Sequence, residues 1–331
     1  MRIYQSITFL LFLIVSTSIY ALPTAKFTIK VVDENNLPVE GANVGVGYYS
    51  PKKFGWGSTS AGDKGLTDAD GIFISKGETE QLVSYGARKE GYYSSRYKFD
   101  KFTGVEGIIG FRKWQPWNPV LTIKLKKKIN PVSLYATRTL PLIEWPKTTK
   151  KVAYDLIERD WVIPYGKGVA RDFIFTLEQE RANSGDDYKV IFKVDFSNSG
   201  DGIISVYQDK NSGSALRLDH LAPDNGYSSG LVLSYEKLPD KFYRSGHGDE
   251  RTDQNYYFRI RTKLNEEGNV VSAYYGKIHD GFNFSKIPRK GKNLLGFTYY
   301  LNPNENDRNL EFDPEKNLFK SLTSDQRVHK P

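Results

Sequence analysis

Cysteine is absent from this 331-residue chain and methionine occurs once. A disulfide scaffold, a zinc ribbon and any thiol enzyme are thereby excluded. Ala and Leu, the residues that favour helices, are sparse, and no apolar run beyond the amino terminus approaches the roughly 20 residues of a membrane-spanning helix. Recognisable nucleic-acid motifs are missing, so nucleic acid is not an expected partner. What the chain does have is 22 Tyr, 19 Phe and 29 Gly, with 39% hydrophobic and 26% charged residues. That composition belongs to a globular protein of strands and tight turns, and its length suits two folded units.

The first residues read as a signal for export. Arg2 supplies a positive start, Ile7 to Val15 (ITFLLFLIV) a short apolar run, and STSIYA a small-residue end suited to cleavage after Ala21 or Ser18. An uncleaved anchor is the competing reading, but Ser16, Thr17 and Ser18 stop the apolar run too early for a span. Residues 1–21 are therefore expected to be a signal peptide. The mature chain is expected to be secreted or periplasmic, with no transmembrane segment left after cleavage. A chain without cysteine suits an oxidising compartment, where a stray thiol would pair wrongly.

Charge is unevenly placed. Residues 22–150 carry 20 Lys and Arg against 12 Asp and Glu, whereas residues 151–331 carry 26 against 27. The basic excess is confined to the first half. Part of it is the run Lys126, Lys127, Lys128, following Leu121, Ile123 and Leu125, which alternate with Thr122 and Lys124 as in a strand with one wet face. Solvated lysines of this kind discourage edge pairing. The sharper reading is a patch for anionic polymers.

In the first half Phe27, Ile29 and Val31 alternate with Thr28 and Lys30. The turn NNLP follows, and Ala42, Val44, Val46 and Tyr48 alternate again. Thr67-Asp68-Ala69-Asp70-Gly71 then leads into Ile72-Phe73-Ile74, and Val83 to Lys89 into Gly91-Tyr92. The order VVDENNLPVEGANV, TDADGIF and a strand ending in GY resembles the carboxypeptidase regulatory-like domain, a transthyretin-like, Ig-like β-sandwich. The resemblance covers about residues 25–129, within an expected first domain at residues 22–129, and implies a non-catalytic accessory or adhesive module. Asp68 to Gly71 also looks like the opening of a calcium loop. The further oxygen ligands and closing Glu of such a loop are missing, which leaves an Asp/Gly β-turn. Gly55, Gly57 and Gly62 lack the Lys-Ser/Thr ending and the helix of a phosphate loop.

Residues 130–150, with Pro131, Pro141 and Pro146, read as a proline-rich linker running extended between domains. Beyond it Phe173, Phe175 and Leu177, then Tyr188 to Phe196, then Tyr256, Phe258 and Ile260 recur with period two. Residues 151–322 are expected to form a second, larger β-sandwich or jelly-roll-like domain, all-β like the first. Asp313-Pro314 should start a short C-terminal helix, and residues 323–331 should be a polar tail. WQPWNPVLTIKLKKKINPVSLYA, DWVIPYGKG, YYFRIRTKL, SAYYGKI and NPNENDRNLEFDPEKNLF are similar to an uncharacterised family of exported bacterial proteins. That resemblance implies an envelope-associated origin and no activity.

Catalytic constellations are thin. Gly226-Tyr227-Ser228-Ser229-Gly230 matches G-x-S-x-G, yet a turn precedes it and a strand follows, so it reads as a Gly/Ser loop. His220, His247 and His279, with Asp249 and Asp280, lack tight ligand spacing, and neither a metal nor any other cofactor is expected. Glu311 with Asp313, or Asp160 with Asp172, could serve glycoside hydrolysis, although Arg308 beside the first pair points to a structural ion pair. Tyr257, Arg259, Arg261 and Lys263 alternate along one strand, on a face that would be wet or would grip an anion. Trp114 and Trp117 sit in KWQPWNP, where Pro116 and Pro119 favour a loop. Their indoles either stack on a sugar, with Arg112, Lys113 and Lys124 holding acidic substituents, or fold back to plug the domain interface.

The binding residues expected are therefore Trp114, Trp117, Lys124, Arg259 and Arg261. Catalytic residues cannot be assigned. Two functions compete: an exported, non-enzymatic binding or adhesion protein facing an envelope polymer, a glycan or a protein partner, and a hydrolase using carboxylates of the second domain to cut glycans.

Overall fold

The computed structural model describes residues 22–51, 58–108, 111–181, 188–207, 213–237, 254–288 and 290–331. Residues 1–21, and with them the signal segment, lie outside the described residues, as do Gly55, Gly57, His247 and Asp249. The chain divides into two compact units, with the boundary between Lys127 and Lys128. Both are all-β, and among the described residues no helix is long and apolar enough to cross a membrane.

The first unit contains β1 (Thr24–Val32), β2 (Asn43–Pro51), β3 (Ser58–Leu66), β4 (Ile72–Glu78), β5 (Val83–Arg88) and β6 (Tyr92–Tyr93). It continues with β7 (Ser95–Phe99), β8 (Gly104–Glu106), β9 (Lys113–Gln115), β10 (Val120–Lys124) and β11 (Lys126–Lys127). One sheet runs β10-β1-β9-β8, with β4 on the other side of β1, and a second runs β3-β2-β5-β7. Period-two alternation in β1 buries Phe27, Ile29 and Val31, which meet Val44, Val46 and Tyr48 of β2 in a common core. The result is a β-sandwich. Its turns follow from side-chain chemistry: Asp33 accepts from the amides of Asn35 and Leu37, and Asp68 from those of Asp70 and Ile72. Gly71 closes the second turn at φ +72, where a Cβ would come within 2.4 Å of the Val31 carbonyl oxygen. The Asp-x-Asp-Gly segment is thus a turn whose first carboxylate is committed to backbone.

The second unit contains β12 (Tyr135–Arg138), β13 (Ile143–Glu144), β14 (Lys151–Asp155), β15 (Asp160–Trp161), β16 (Phe173–Arg181) and β17 (Tyr188–Asp195). After these come β18 (Gly202–Tyr207), β19 (Gly230–Lys237), β20 (Gln254–Leu264), β21 (Val270–Phe284) and β22 (Leu294–Leu301). The sheets run β12-β22-β21-β20-β18, with β13 also on β22, and β15-β14-β16-β17-β19. Between them lies an aromatic core in which Phe173, Phe175, Phe192, Phe258, Phe282 and Phe297 touch mostly edge to face.

Three expectations need correction. Residues 130–150 are no free linker: β12 and β13 both pair with β22, and Leu134, Ala136 and Trp145 are buried. Pro131, Pro141 and Pro146 fall before, between and after these two short strands, where no ladder hydrogen bond is lost. The tail at 323–331 is docked rather than loose, because Val328 is buried against Tyr300 and Phe312, and the Lys330 carbonyl accepts from the Tyr300 hydroxyl. The C-terminal helix is a single 3₁₀ turn, Pro314–Lys316, capped as expected by Asp313 accepting from the Glu315 amide.

The β20–β22 sheet also lacks the wet face that alternation implies. Leu218, Ala222 and Leu310, from irregular segments, cover Tyr257, Ala273 and Tyr275, while Leu134, Phe312 and Val328 cover Tyr300. A coil layer therefore makes this unit three layers deep, which is why most of β21 is buried on both sides.

Candidate functional site

The outward face of β1 is where the basic excess of the first half collects. Register places Lys26 opposite Lys76, Thr28 between Ile74 and Val120, Lys30 between Ile72 and Thr122, and Val32 opposite Lys124. At the near end Thr24 lies between Glu78 and Lys113, and Lys113 is opposite Glu106. Residues directly opposite one another share a face, so five lysines from four strands stand on one surface. The rows holding Lys26, Lys76, Lys30 and Lys124 contain no carboxylate, whereas Glu78 and Glu106 flank Lys113. Ile74 and Val120, 57% and 62% exposed, form an apolar stripe between the lysine rows.

The loop after β9 closes the end of this face. Thr28 donates from Oγ1 to Asn118 Oδ1 at 3.0 Å, and the Gln115 side chain ties the Trp117 amide at 2.9 Å. Asn118 sits at φ +59, a conformation its short polar side chain tolerates. The half-buried Trp117 ring lies 5.0 Å from Lys113 Nζ, a cation–π contact at the rim of the lysine rows. Strands are spaced about 4.8 Å and alternate residues about 6.7 Å, so Lys26 and Lys76, and likewise Lys30 and Lys124, fall within about one Debye length of each other at physiological salt, the two pairs standing about 13 Å apart. Their fields add.

Of the binding residues expected from the sequence, Trp117 and Lys124 belong to this face. Trp114, three residues before Trp117, points the other way: it is 8% exposed, packs 4.7 Å from Phe102 and donates its indole N–H to Thr79 O at 2.9 Å. It plugs the sandwich core. Lys26, Lys30 and Lys76 were not singled out from the sequence. The signal was present in TAKFTIKVV, whose two lysines both fall on the outward phase of the alternation.

Arg259 and Arg261 belong to the second unit and are engaged there. Arg259 lies over the Tyr227 ring at 4.7 Å and donates to the carbonyls of Gly200 and Asp224. Arg261 sits in a bulge at φ +53, where β20 and β21 shift register, and grips Asp172 through Nε (2.8 Å) and Nη2 (2.9 Å), with Asp155 3.8 Å away. Neither arginine offers an open anion site. Burial raises the Asp172 carboxyl above its ordinary value against the pull of Arg261. Burial also pushes on Asp155, but the amides of Ala170, Glu158, Val169 and Ile157 outweigh it and hold that carboxyl below the usual range.

The other carboxylates weighed for hydrolysis have structural partners. Glu311 accepts from the amides of Ile129 and Asn130, Asp313 caps its turn, and Asp160 accepts from the amides of Trp161 and Lys167. Arg308 pairs with Asp224, and Glu311 lies 3.9 Å from His220 Nε2. Ser228 of the G-x-S-x-G segment exchanges backbone hydrogen bonds with Ile203, as in a strand bridge rather than a nucleophile elbow. Among the described residues no three His, Asp or Glu are grouped to hold a metal.

His279 is buried with its Nδ1 3.2 Å from the Tyr300 hydroxyl. Burial first, then the charges of Lys277, Arg217 and Lys330, hold its pKa well below the ordinary imidazole value. The unfolded chain takes up this proton near pH 6.5 and the folded chain does not. Stability is therefore full above that pH and falls below it, by up to about 1.4 kcal/mol per pH unit. Urea unfolding between pH 7.5 and 5 should show this slope, and His279→Gln should flatten it. An unchanged slope in the variant would assign the effect elsewhere.

No family model matches the chain, and no curated protein matches it. Solved structures of similar shape include 3-chlorocatechol 1,2-dioxygenase from Rhodococcus opacus 1CP, at 12% identity and TM-score 0.26, covering 34% of this chain and 62% of that one. This chain thus spans less than two thirds of the dioxygenase. The shaft pilin SpaA of Lactobacillus rhamnosus GG matches at 10% identity and TM-score 0.23, over 78% of this chain and 90% of the pilin. BcpA, the major pilin subunit of Bacillus cereus, matches at 13% identity and TM-score 0.23, over 83% and 95%. Likeness at this level transfers no function.

Proposed function

We propose that this is an exported, non-enzymatic binding protein that holds an acidic polysaccharide of the bacterial envelope against the outer face of the first unit. The carrying observation is the set of lysine rows on β1, β4 and β10, divided by Ile74 and Val120 and ended by Trp117. An exposed ion pair contributes at most about 1 kcal/mol, so these lysines hold a ligand firmly only if it meets several at once. A polymer with repeated negative charges does that. The aliphatic stripe and the indole suit the apolar faces of sugar rings. The two-sheet sandwich and the Asp33 and Asp68 turns support reading the first unit as a carboxypeptidase regulatory-like accessory module, with export resting on the amino-terminal signal.

The hydrolase alternative draws no support from the carboxylates named for it, since each is already bonded to backbone or to arginine. Affinity electrophoresis through gels containing alginate, an acidic polysaccharide, or dextran, a neutral one, tests the proposal. The full chain should be retarded by alginate alone, less so as salt rises. The double variant Lys26→Glu, Lys76→Glu should lose at least tenfold in apparent affinity while melting like the parent. Equal retardation by dextran, or a variant that binds alginate as well as the parent, would discard it.

A further inference from the structure

Far from the lysine face in sequence, the segment 162–169 of the second unit presents an apolar tip on an unusually well-tied base. Ile163, Tyr165 and Val169 are 67%, 41% and 76% exposed, and Pro164 is exposed between the first two. A loop of this composition would ordinarily fold its aliphatic side chains inward. Here the backbone beneath leaves it no freedom to do so.

Two carboxylates hold that backbone and a third holds the turn before it. Asp155 accepts from the amides of Val169 and Ala170 with one oxygen and from those of Ile157 and Glu158 with the other. Asp160 accepts from the amides of Trp161 and Lys167. Asp172, locked by Arg261, accepts from the Leu156 amide. Inside the loop Ile163 N–H donates to Gly168 O and Gly168 N–H to Trp161 O, and a Cβ on Gly168 would come within 2.8 Å of Asp155. Lys167 and Arg171 are exposed beside the tip, with Glu158 3.8 Å from Lys167. A rigid base removes the ordering cost that a mobile loop would meet on binding.

We infer that this tip is a membrane-interface anchor, which sets Ile163, Pro164, Tyr165 and Val169 into the headgroup region of a bilayer while Lys167 and Arg171 meet anionic lipids. The choice of occupant follows from size and charge. Four side chains on one short exposed loop bury far less than the roughly 1,000 Å² a specific protein interface needs. A bilayer accepts a small apolar wedge to a depth of about 5–10 Å, favours a tyrosine whose hydroxyl stays among the headgroups, and adds attraction for each flanking cation. The inference stands apart from the polysaccharide reading, because it uses other residues in the other unit.

Flotation of the full chain with phosphatidylcholine vesicles, and with vesicles containing one quarter phosphatidylglycerol, tests it. Binding is expected to the anionic vesicles, at least tenfold above the zwitterionic ones. Ile163→Asp with Val169→Asp should abolish it, Lys167→Glu should weaken it, and Lys26→Glu with Lys76→Glu should leave it intact. If the aspartate pair lowers the melting temperature, Ile163→Ser with Val169→Ser takes its place. Binding that survives the tip variants but is lost in the first-unit lysine variants would overturn the anchor and move lipid contact to the lysine face. No flotation with either vesicle would also overturn it, and loop-dependent self-association in its absence would give the tip to a second copy of the chain. Alginate retardation of the same proteins shows separately whether the polysaccharide reading holds.

Discussion

Replacing Arg261 by alanine is expected to destabilise the second unit by about 3–5 kcal/mol, the usual consequence of removing one partner of a buried ion pair. Its partner Asp172 has a side chain only 1% exposed and takes both guanidinium donors, so the substitution strands a carboxylate in the interior beside Asp155. The pH dependence identifies the cause. Burial already raises Asp172 in the native chain, and without Arg261 nothing opposes it but the Leu156 amide. A carboxyl whose folded pKa lies above its unfolded value contributes stability at acid pH that is lost as pH rises through the folded value. The deficit of Arg261→Ala should therefore be smaller at pH 5 than at pH 8. Adding Asp172→Asn should recover part of it at pH 8, because the uncompensated charge is gone. Urea unfolding of the parent, the two single variants and the double variant at the two pH values decides the matter. A deficit under 1 kcal/mol, or one indifferent to pH and to Asp172→Asn, would mean that the pair contributes packing alone.

Strand alternation and turn chemistry made much of this fold legible in the sequence. β1, β2 and β17 carry their buried residues at nearly every second position, and Asp33 and Asp68 mark their turns because a carboxylate there bonds amides two and four residues on. Period two, however, describes one face against one core. Leu218, Ala222, Leu310 and Phe312, which cover the outer side of the β20–β22 sheet, come from irregular segments with no period to detect. Arg259 therefore reads, from the sequence, as facing solvent or an anion. The bulge at Arg261 escapes for a different reason, since a register shift is a property of two strands and is written in neither alone. The same limit hid the pairing of residues 130–150 with β22, and it governs the candidate site. Lys26 and Lys30 share a phase that can be read along β1, but Lys76 and Lys124 join them only through the register of β4 and β10.

The two tryptophans of KWQPWNP should respond in opposite ways to alanine, and this gives the clearest separation of core from surface in the first unit. Trp114 is seated against Phe102 with its indole N–H on Thr79 O, so Trp114→Ala leaves both a cavity and an orphaned carbonyl. A loss of about 3–5 kcal/mol is expected from the cavity. Trp117 is half-buried on the outer face beside Lys113, held through its backbone amide rather than its ring. Removing that ring uncovers no core, so Trp117→Ala should stay within about 0.5 kcal/mol of the parent, as surface substitutions usually do. Its effect should appear instead in alginate gels, as lost retardation, because the indole supplies the flat apolar face against which a sugar ring rests. Thermal melts run beside affinity electrophoresis read both quantities on the same samples. Should Trp117→Ala melt as early as Trp114→Ala, the second indole is a plug as well, and the lysine rows would have to bind by charge alone.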